Sequence, residues 1–173
     1  MTTPCFSFFT ELGVSYSRKK TSFDGFNYTE SESSTGSISL YFRESIAIEM
    51  SYTEGGSIRE EKITGNQYVT YQKTKVIGSD LIYVFAGKKE FFQPYIKGGA
   101  AQLTRQQIIK VNSLETERLD PEVAVVPSYG VGFKLALTDS FGIKISYDAW
   151  KTPIGGSQTT DDAQVRAGIS WIF

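Results

Sequence analysis

The sequence predicts an all-β fold: an eight-stranded antiparallel up-and-down transmembrane β-barrel that occupies residues 1–173 as a single domain. Three observations predict this fold. Segments in which apolar and polar residues alternate recur along the whole chain, as strands with two different faces require. The links between them are short and long in turn, which is typical of outer-membrane barrels with short periplasmic turns and long extracellular loops. The last alternating segment ends on an aromatic residue, Phe173.

The first four strands are placed by alternation and by the polar stretches between them. In the first strand, Phe8 and Tyr16 face one way while Glu11 faces the other. The fourth strand is phased less clearly because apolar residues fill both of its faces; we place Phe85 outward, which turns Asp80 inward. The predicted strands cover about residues 6–17, 37–42, 46–52 and 73–85, and the predicted long polar loops cover residues 18–34 and 54–72.

The last four strands follow the same pattern. The fifth begins at Phe91 or Phe92 and carries Pro94 near its start, where a missing N–H is tolerated. The eighth runs from Asp161 to Phe173. Short turns are expected at residues 87–89 and 138–140, a third long loop at 106–122, the sixth and seventh strands at about 128–137 and 141–148, and a last loop near 153–156. An even number of strands places both termini at the short-turn end, which is periplasmic in such barrels.

The predicted outward aromatic residues sort by depth into two groups. Phenylalanines gather near the short turns, whereas tyrosines and Trp150 gather near the long loops. Rings at both membrane interfaces are expected of a spanning barrel. The predicted interface residues are Phe8, Tyr16, Phe42, Tyr52, Phe85, Phe92, Phe141, Tyr147, Trp171 and Phe173.

The inward faces of the predicted strands carry charges of both signs. An eight-stranded barrel is narrow enough for side chains to fill it, and charges removed from water must pair. We therefore predict an ion-pair network that plugs the lumen; a structural network without transport and a narrow gated path both remain open. Its predicted members are Glu11, Arg43, Glu49, Asp80, Lys97, Lys134, Lys144, Asp148 and Arg166, with Arg43 near a short turn.

Composition excludes several classes of protein. The formal net charge is -1 and the pI is about 5.6, so nothing suggests a nucleic-acid-binding surface. No apolar run approaches the ~18 residues of a membrane-spanning helix. The N-terminus shows no signal peptide, and we expect a mature sequence with an added Met1. The single cysteine, Cys5, excludes an internal disulfide; it is either an ordinary thiol or an acylation site.

Three segments resemble one known family, the OmpA/OmpX-type eight-stranded outer-membrane barrels. They are Phe92-Gln93-Pro94-Tyr95-Ile96-Lys97-Gly98-Gly99-Ala100, the turn Leu137-Thr138-Asp139-Ser140-Phe141-Gly142-Ile143, and the terminal Phe173. The resemblance covers nearly the whole chain and implies an integral outer-membrane location. It also implies that the outer-membrane assembly machinery recognises the C-terminal strand through Trp171 and Phe173. The peptidoglycan-binding domain of OmpA itself, and its tethering role, are not expected here.

The residue content argues against catalysis. Among small barrels of this kind, lipid A deacylases, palmitoyl transferases and omptin-like proteases rely on a histidine for proton transfer, and this chain contains none. No metal site and no cofactor are predicted. The acidic pairs Glu60-Glu61 and Asp161-Asp162 are interpreted as solvated loop residues, although a loose divalent-cation contact with lipopolysaccharide is open.

Three functions follow from the sequence. The first is a non-enzymatic outer-membrane barrel for envelope integrity or surface interaction through its loops, since polar loops on a rigid scaffold carry binding. The second is a channel for small solutes, and the third is a soluble lipocalin-like carrier, which the charged inward face disfavours. Expected partners are outer-membrane lipid, lipopolysaccharide, the assembly machinery and a protein or surface ligand at the loops. If strands continue into the third loop, Ile108, Ile109 and Val111 form an exposed sheet that either adds a partner's strand or has no partner.

Overall fold

The structure is a computed structural model that describes residues 8–22, 28–63, 66–112, 114–153 and 159–173. Eight strands follow one another around a closed barrel, and each pairs antiparallel with its neighbours in the chain, the last with the first. Within the described ranges, no helix has the length and apolarity needed to cross a membrane. The strands are β1 (Phe9–Ser22), β2 (Tyr28–Arg43), β3 (Ile46–Ile63), β4 (Asn66–Val84), β5 (Phe92–Val111), β6 (Leu114–Ala136), β7 (Phe141–Pro153) and β8 (Thr159–Ile172).

Side chains alternate between the inside and the outside of the barrel, and the predicted phase is confirmed, including that of the fourth strand. Near the end of β4, Leu81 is 56% exposed and Phe85, the first residue after the strand, is 60% exposed, whereas Ile82 is 1% exposed. Large apolar side chains cover the outer face of the whole ring. A soluble monomer does not expose a continuous apolar belt of this kind, because removing apolar surface from water drives folding.

One end of the barrel, here called the turn end, holds the short connections. They are residues 44–45 between β2 and β3, residues 85–91 between β4 and β5, and residues 137–140 between β6 and β7. In the last of these, the Thr138 hydroxyl accepts hydrogen bonds from the amides of Ser140 and Phe141 at 3.3 and 3.0 Å, which fixes the turn. The ring closes at this end, where the backbones of Thr10 and Phe173 exchange two hydrogen bonds.

The opposite end is here called the hairpin end. Its loops are shorter than the sequence predicted, because the strands extend into them. Most of residues 18–34, 54–72 and 106–122 is strand, so that β5 reaches Val111 and β6 begins at Leu114. Outside the apolar belt both faces of a strand are polar, and the alternation that marks a strand in the sequence disappears. The ladder itself continues because backbone groups still need partners. Ile108, Ile109 and Val111 pair with both β4 and β6, so of the two alternatives left open by the sequence, addition of a partner's strand at these residues is excluded.

The wall of the barrel is not equally tall all the way round. Pairing of β6 with β7 ends at Ser128–Trp150, and pairing of β1 with β8 ends at Tyr16–Ala167. Pro127, the next residue of β6, has no N–H to donate to a neighbouring strand. Beyond these points β1 to β6 continue together as a curved sheet, while β7 and β8 pair only with each other in the described residues. The glycine pair 155–156, the loop that holds it, and Cys5 lie outside the described residues.

Two apolar layers lie inside the barrel. The layer nearer the turn end consists of Phe9, Tyr41, Ala47, Ile82, Val84, Tyr95 and Ile172, and the layer nearer the hairpin end consists of Val76, Ala101, Leu103, Val126 and Trp150. In the first, the rings of Phe9 and Tyr41 stack 4.2 Å apart, and Lys88 from the β4–β5 turn lies 4.3 Å above the Phe9 ring. The two layers bracket a charged middle section.

Candidate functional site: the lumenal charge cluster

Glu49 on β3 is the centre of the charged section and is 2% exposed. Its Oε1 lies 2.9 Å from Lys97 Nζ on β5, and its Oε2 lies 2.6 Å from Lys144 Nζ on β7. The Ser39 hydroxyl donates to the same Oε2 at 3.2 Å. One carboxylate therefore holds two lysines that reach it from different sides of the barrel.

Lys97 extends the cluster to two further carboxylates. Its Nζ lies 2.8 Å from Asp148 Oδ1 and 3.7 Å from Asp80 Oδ2, so it contacts three acids in all. Asp148 also pairs with Arg166 at 3.2 Å and accepts from Ser146 at 2.8 Å. Each buried charge here has at least one partner of opposite sign, as burial requires.

Arg166 on β8 ends this part of the cluster below the apolar layer of the hairpin end. Besides Asp148, it donates to the Thr53 hydroxyl at 3.3 Å, and its guanidinium carbon lies 5.9 Å from the centre of the Trp150 ring. A planar cation against an indole face is a favourable contact. Arg166 thus links the charges to the apolar layer.

A second, smaller group lies nearer the turn end. Lys134 Nζ on β6 is 2.7 Å from Glu11 Oε2 on β1, and the Tyr41 hydroxyl donates to the same oxygen at 3.4 Å. Lys134 also lies 5.7 Å from the centre of the Tyr41 ring. Glu11 and Lys134 are both buried.

Glycines on the later strands make room for these side chains. A Cβ on Gly130 would come within 2.6 Å of an Asp148 oxygen and 3.0 Å of Lys97 Cε. A Cβ on Gly132 would come within 2.6 Å of the Tyr95 hydroxyl. Both glycines face inward on β6, so the small residues there fit the long side chains that cross the lumen.

Buried side chains from all eight strands project into the lumen. Two cavities, of about 10 and 20 Å³, lie within it, and Lys144 lines both. Each is large enough for roughly one water molecule. The smaller cavity lies against Tyr41, Ile82 and Tyr95 of the apolar layer near the turn end, and the larger one lies among the charged residues around Glu49.

The structure places eight of the nine residues predicted for the network inside the barrel, six in the group around Glu49 and two in the Glu11–Lys134 pair, and leaves out Arg43. Arg43 is exposed at the turn end, because the register of β2 against β3 shifts between Tyr41 and Arg43. A second correction concerns Trp150, which was predicted in the outer girdle but is 8% exposed inside the barrel. It lies two residues from the inward Asp148, so the strand period itself turns it inward.

The ten predicted interface aromatics all lie on the outer face. Phe8, Phe173 and Trp171 are 76%, 70% and 53% exposed near the turn end, and Trp171 packs against Phe173 with ring centres 6.3 Å apart. Tyr16 and Tyr52 are about half exposed toward the hairpin end. Their placement at a membrane interface stays a prediction.

Charges on the outer face of the hairpin end form exposed pairs. Arg18 lies 2.5 Å from Glu30, and its hydrogen bond to that carboxylate lowers the pKa of Glu30. Lys73 lies 2.8 Å from Glu54 and lowers the pKa of Glu54 in the same way. Both carboxylates are ionised at neutral pH. Exposed ion pairs of this kind contribute little to the free energy of unfolding.

The predicted acidic pair Glu60-Glu61 does not act as a unit. Glu60 accepts a hydrogen bond from the Tyr28 hydroxyl at 2.8 Å, whereas Glu61 pairs with Arg59. Neighbouring residues of a strand point to opposite faces. In the described part of the chain, no group of three histidine, cysteine or acidic residues is placed to hold a metal ion.

Sequence reasoning missed the two apolar layers inside the barrel. Their signal was present in β4, where Leu81 to Phe85 are all apolar. An apolar residue at an inward position looks the same in the sequence as one that faces outward. The difficulty in deciding which face of that strand points outward indicated that both of its faces are apolar.

Comparisons with known proteins agree with this architecture. A family model described as outer membrane protein beta-barrel domain matches residues 8–173. The N-terminal β-barrel domain of Pseudomonas aeruginosa OprF matches with a TM-score of 0.64 and 16% identity, covering 95% of this chain and 97% of that one. Neisserial surface protein A matches with a TM-score of 0.60, 15% identity and coverage of 96% and 97%. Ail, the attachment invasion locus protein of Yersinia pestis, matches with a TM-score of 0.60, 12% identity and coverage of 95% and 98%. No curated protein sequence matched the chain.

Proposed function

The chain belongs to the outer membrane β-barrel family, and from this premise we propose that it is a non-enzymatic surface protein of the bacterial outer membrane. Its role is surface interaction through the hairpin end, or support of the envelope, and its lumen is plugged by the charge cluster. The hairpin end faces the outside of the cell, and the turn end with both termini faces the periplasm.

The observation that carries this proposal is the length of the strands. About 9–11 residues suffice for a strand to cross a bilayer, whereas β5 has 20 residues and β6 has 23. The excess lies at the hairpin end alone, beyond the apolar belt. A rigid sheet that stands above the membrane is a suitable platform for a partner.

Three further facts support the proposal. The family places the protein in the outer membrane, where long connections commonly lie outside the cell. Two of the structurally similar proteins are named for the cell surface or for attachment. The chain contains no histidine, the commonest residue for proton transfer in enzymes. The expected partners remain outer-membrane lipid, lipopolysaccharide, the assembly machinery at the C-terminal strand, and a ligand at the hairpin end.

Labelling of whole cells tests the orientation. In a Cys5→Ser background, Glu32→Cys places a thiol on the exposed hairpin end, and Asp139→Cys places one at the exposed turn end. A membrane-impermeant maleimide should label the first protein on intact cells and the second only after the outer membrane is opened. The reverse pattern would overturn the proposed orientation. If both sites label correctly, deletion of the gene should impair attachment or resistance to envelope stress, and a deletion strain normal in both respects would overturn the role.

A narrow channel is the alternative, and one observation favours it. Because Lys144 lines both cavities, a swing of that side chain would join them. Purified protein in planar bilayers separates the two functions. A plugged barrel gives no resolved conductance steps, whereas reproducible steps from the wild-type protein would favour the channel.

A further inference from the structure

The inner surface of the curved sheet at the hairpin end has an unusual composition. Above the apolar layer, two rows of inward positions cross strands β2 to β5. One row contains Ser33, Gly55, Thr74 and Arg105, and the next contains Ser31, Ser57, Gln72 and Gln107. We call the six hydroxyl and amide residues of these rows the cup: Ser31, Ser33, Ser57, Gln72, Thr74 and Gln107.

The outer surface of the same strands, at the same height, is charged instead. There the alternate residues include Glu30, Glu32, Glu54, Lys73 and Lys75. Exposure to water alone would allow either composition on either face. The separation of neutral groups inside from charged groups outside therefore distinguishes the cup from an ordinary solvated surface.

On strands β2 to β5 the charged residue of these two rows is Arg105, and the rows continue to Lys19 on β1, opposite Ser31, and to Glu122 on β6, opposite Arg105. Arg105 pairs across the opening with Asp162 on β8 at 3.0 Å. Next to it, the Gln164 side chain of β8 lies 3.1 Å from the Ser33 hydroxyl. The charges that border the cup are two positive, Arg105 and Lys19, and two negative, Glu122 and Asp162, so they cancel and favour neither an anion nor a cation overall.

The base of the cup is apolar and contains donors without acceptors. Val76 and Leu103 lie two residues below Thr74 and Arg105 on the same strands and belong to one layer with Trp150. The indole Nε1 of Trp150 and the Nε of Arg105 are buried and have no hydrogen-bond partner in the structure. Buried donors of this kind are costly unless an acceptor reaches them.

We propose that the cup is a binding site for a neutral glycan, which names the partner class for the surface role proposed above and rests on it for access from outside the cell. Sugar hydroxyls both donate and accept hydrogen bonds, as do the serine, threonine and glutamine side chains. The C–H faces of a sugar suit an apolar base beneath a ring of polar groups. Above Ser128–Trp150 and Tyr16–Ala167, β7 and β8 no longer pair with β6 and β1, so among the described residues a continuous sheet bounds the cup on one side only.

The chain carries its own reporter for this proposal. It has two tryptophans, Trp150 at the base of the cup and Trp171 on the outer face. The variant Trp171→Phe leaves Trp150 as the single indole. This full-length protein is refolded in an amine-oxide detergent, because maltoside and glucoside detergents present sugars of their own. It is then titrated with neutral hexasaccharides of glucose, galactose and N-acetylglucosamine, and with a sulfated glucose hexasaccharide.

At least one neutral hexasaccharide should change the Trp150 emission in a saturable way. Gln107→Ala should weaken that binding about tenfold, the effect of losing one or two hydrogen bonds. The matched control is Gln106→Ala, which removes the neighbouring amide from the outer face and should leave binding unchanged. A heat-dependent shift on a denaturing gel confirms that each variant is folded.

The absence of a saturable change with every neutral hexasaccharide would overturn the proposal, and so would equal losses of binding in the Gln106→Ala and Gln107→Ala proteins. Binding of the sulfated sugar alone would also overturn it, because it would place the ligand on charged groups. Binding in micelles does not depend on orientation. If neutral sugars bind but the labelling of cells shows the inverted orientation, the surface role is wrong and the cup is still a binding site.

Discussion

Replacing Glu49 with glutamine tests whether the charge cluster holds the barrel together. Glutamine preserves the size of the side chain and removes its charge. Lys97 keeps Asp148 at 2.8 Å, but Glu49 is the only carboxylate in ion-pair contact with Lys144 in the described part of the chain. Glu49→Gln therefore leaves the ammonium group of Lys144, whose side chain is only 15% exposed, without a counter-charge.

The expected loss follows from that orphaned charge. Removing one partner of a buried pair costs about 3–5 kcal/mol, and the 2% exposure of Glu49 leaves water little chance to compensate. The free energy of unfolding is measured by guanidinium titration of the refolded protein in lipid vesicles, followed by tryptophan fluorescence and linear extrapolation.

Two controls make the result specific. Glu54→Gln, on the same strand, breaks the exposed pair with Lys73 at 2.8 Å and should have no measurable effect. Glu49→Gln combined with Lys144→Met removes both charges and should recover most of the lost stability. A loss below about 1 kcal/mol for the single variant, or a double variant no more stable than the single one, would refute this reasoning.

Three further predictions concern other parts of the barrel. Trp150→Ala should cost about 3–5 kcal/mol, because it opens a cavity in an inner apolar layer; an unfolding midpoint equal to wild type would argue against that layer. Gly132→Ala should lower the free energy of unfolding by roughly 1–3 kcal/mol, because the added Cβ would lie 2.6 Å from both the Ile145 backbone oxygen and the Tyr95 hydroxyl. Gly36→Ala should leave it unchanged, because the space around Gly36 is open. A pH titration by NMR should find the pKa of Glu30 below its ordinary value and returned toward it by Arg18→Ala. Since the folded pKa is lowered, any stability from this pair is present above the ordinary glutamate pKa and fades as pH falls through the folded one; an unshifted Glu30 pKa would refute the contact.

The sequence allowed the strand order and the phase of every strand to be predicted, because each strand crosses an apolar belt. Period-2 alternation survives there, and it correctly placed Asp80 inside and Phe85 outside. The lengths of the strands beyond the belt could not be predicted, because apolar and polar residues do not alternate there. Residues 18–22 and 28–34 are polar on both faces, although backbone pairing continues through them.

Which charged residues face the lumen could be predicted for every member except Arg43, but their pairing could not. Alternation places Glu49 and Lys144 inside, yet only the tilt and stagger of the strands decide which side chains meet across the lumen. The exclusion of Arg43 depends on a register shift, and register shifts carry no sequence signal here. The period of two residues along a strand predicts that Trp150 faces inward, as Asp148 does. Trp150 was placed outside only because it was grouped with the outward tyrosines as an aromatic residue.

The signs of the lumenal charges divide the chain into two unlike halves. Strands β1 to β4 bring three carboxylates into the cluster, those of Glu11, Glu49 and Asp80. Strands β5 to β8 bring Lys97, Lys134, Lys144 and Arg166 together with the single acid Asp148, four positive charges less one negative, or a surplus of three. A sheet made of either half alone would carry uncompensated charge into lipid, whereas the two halves together are neutral. The free-energy cost of inserting charge into lipid is therefore lowest for the complete barrel. The attraction between the oppositely charged halves also favours closure of the ring over release of a half-built intermediate.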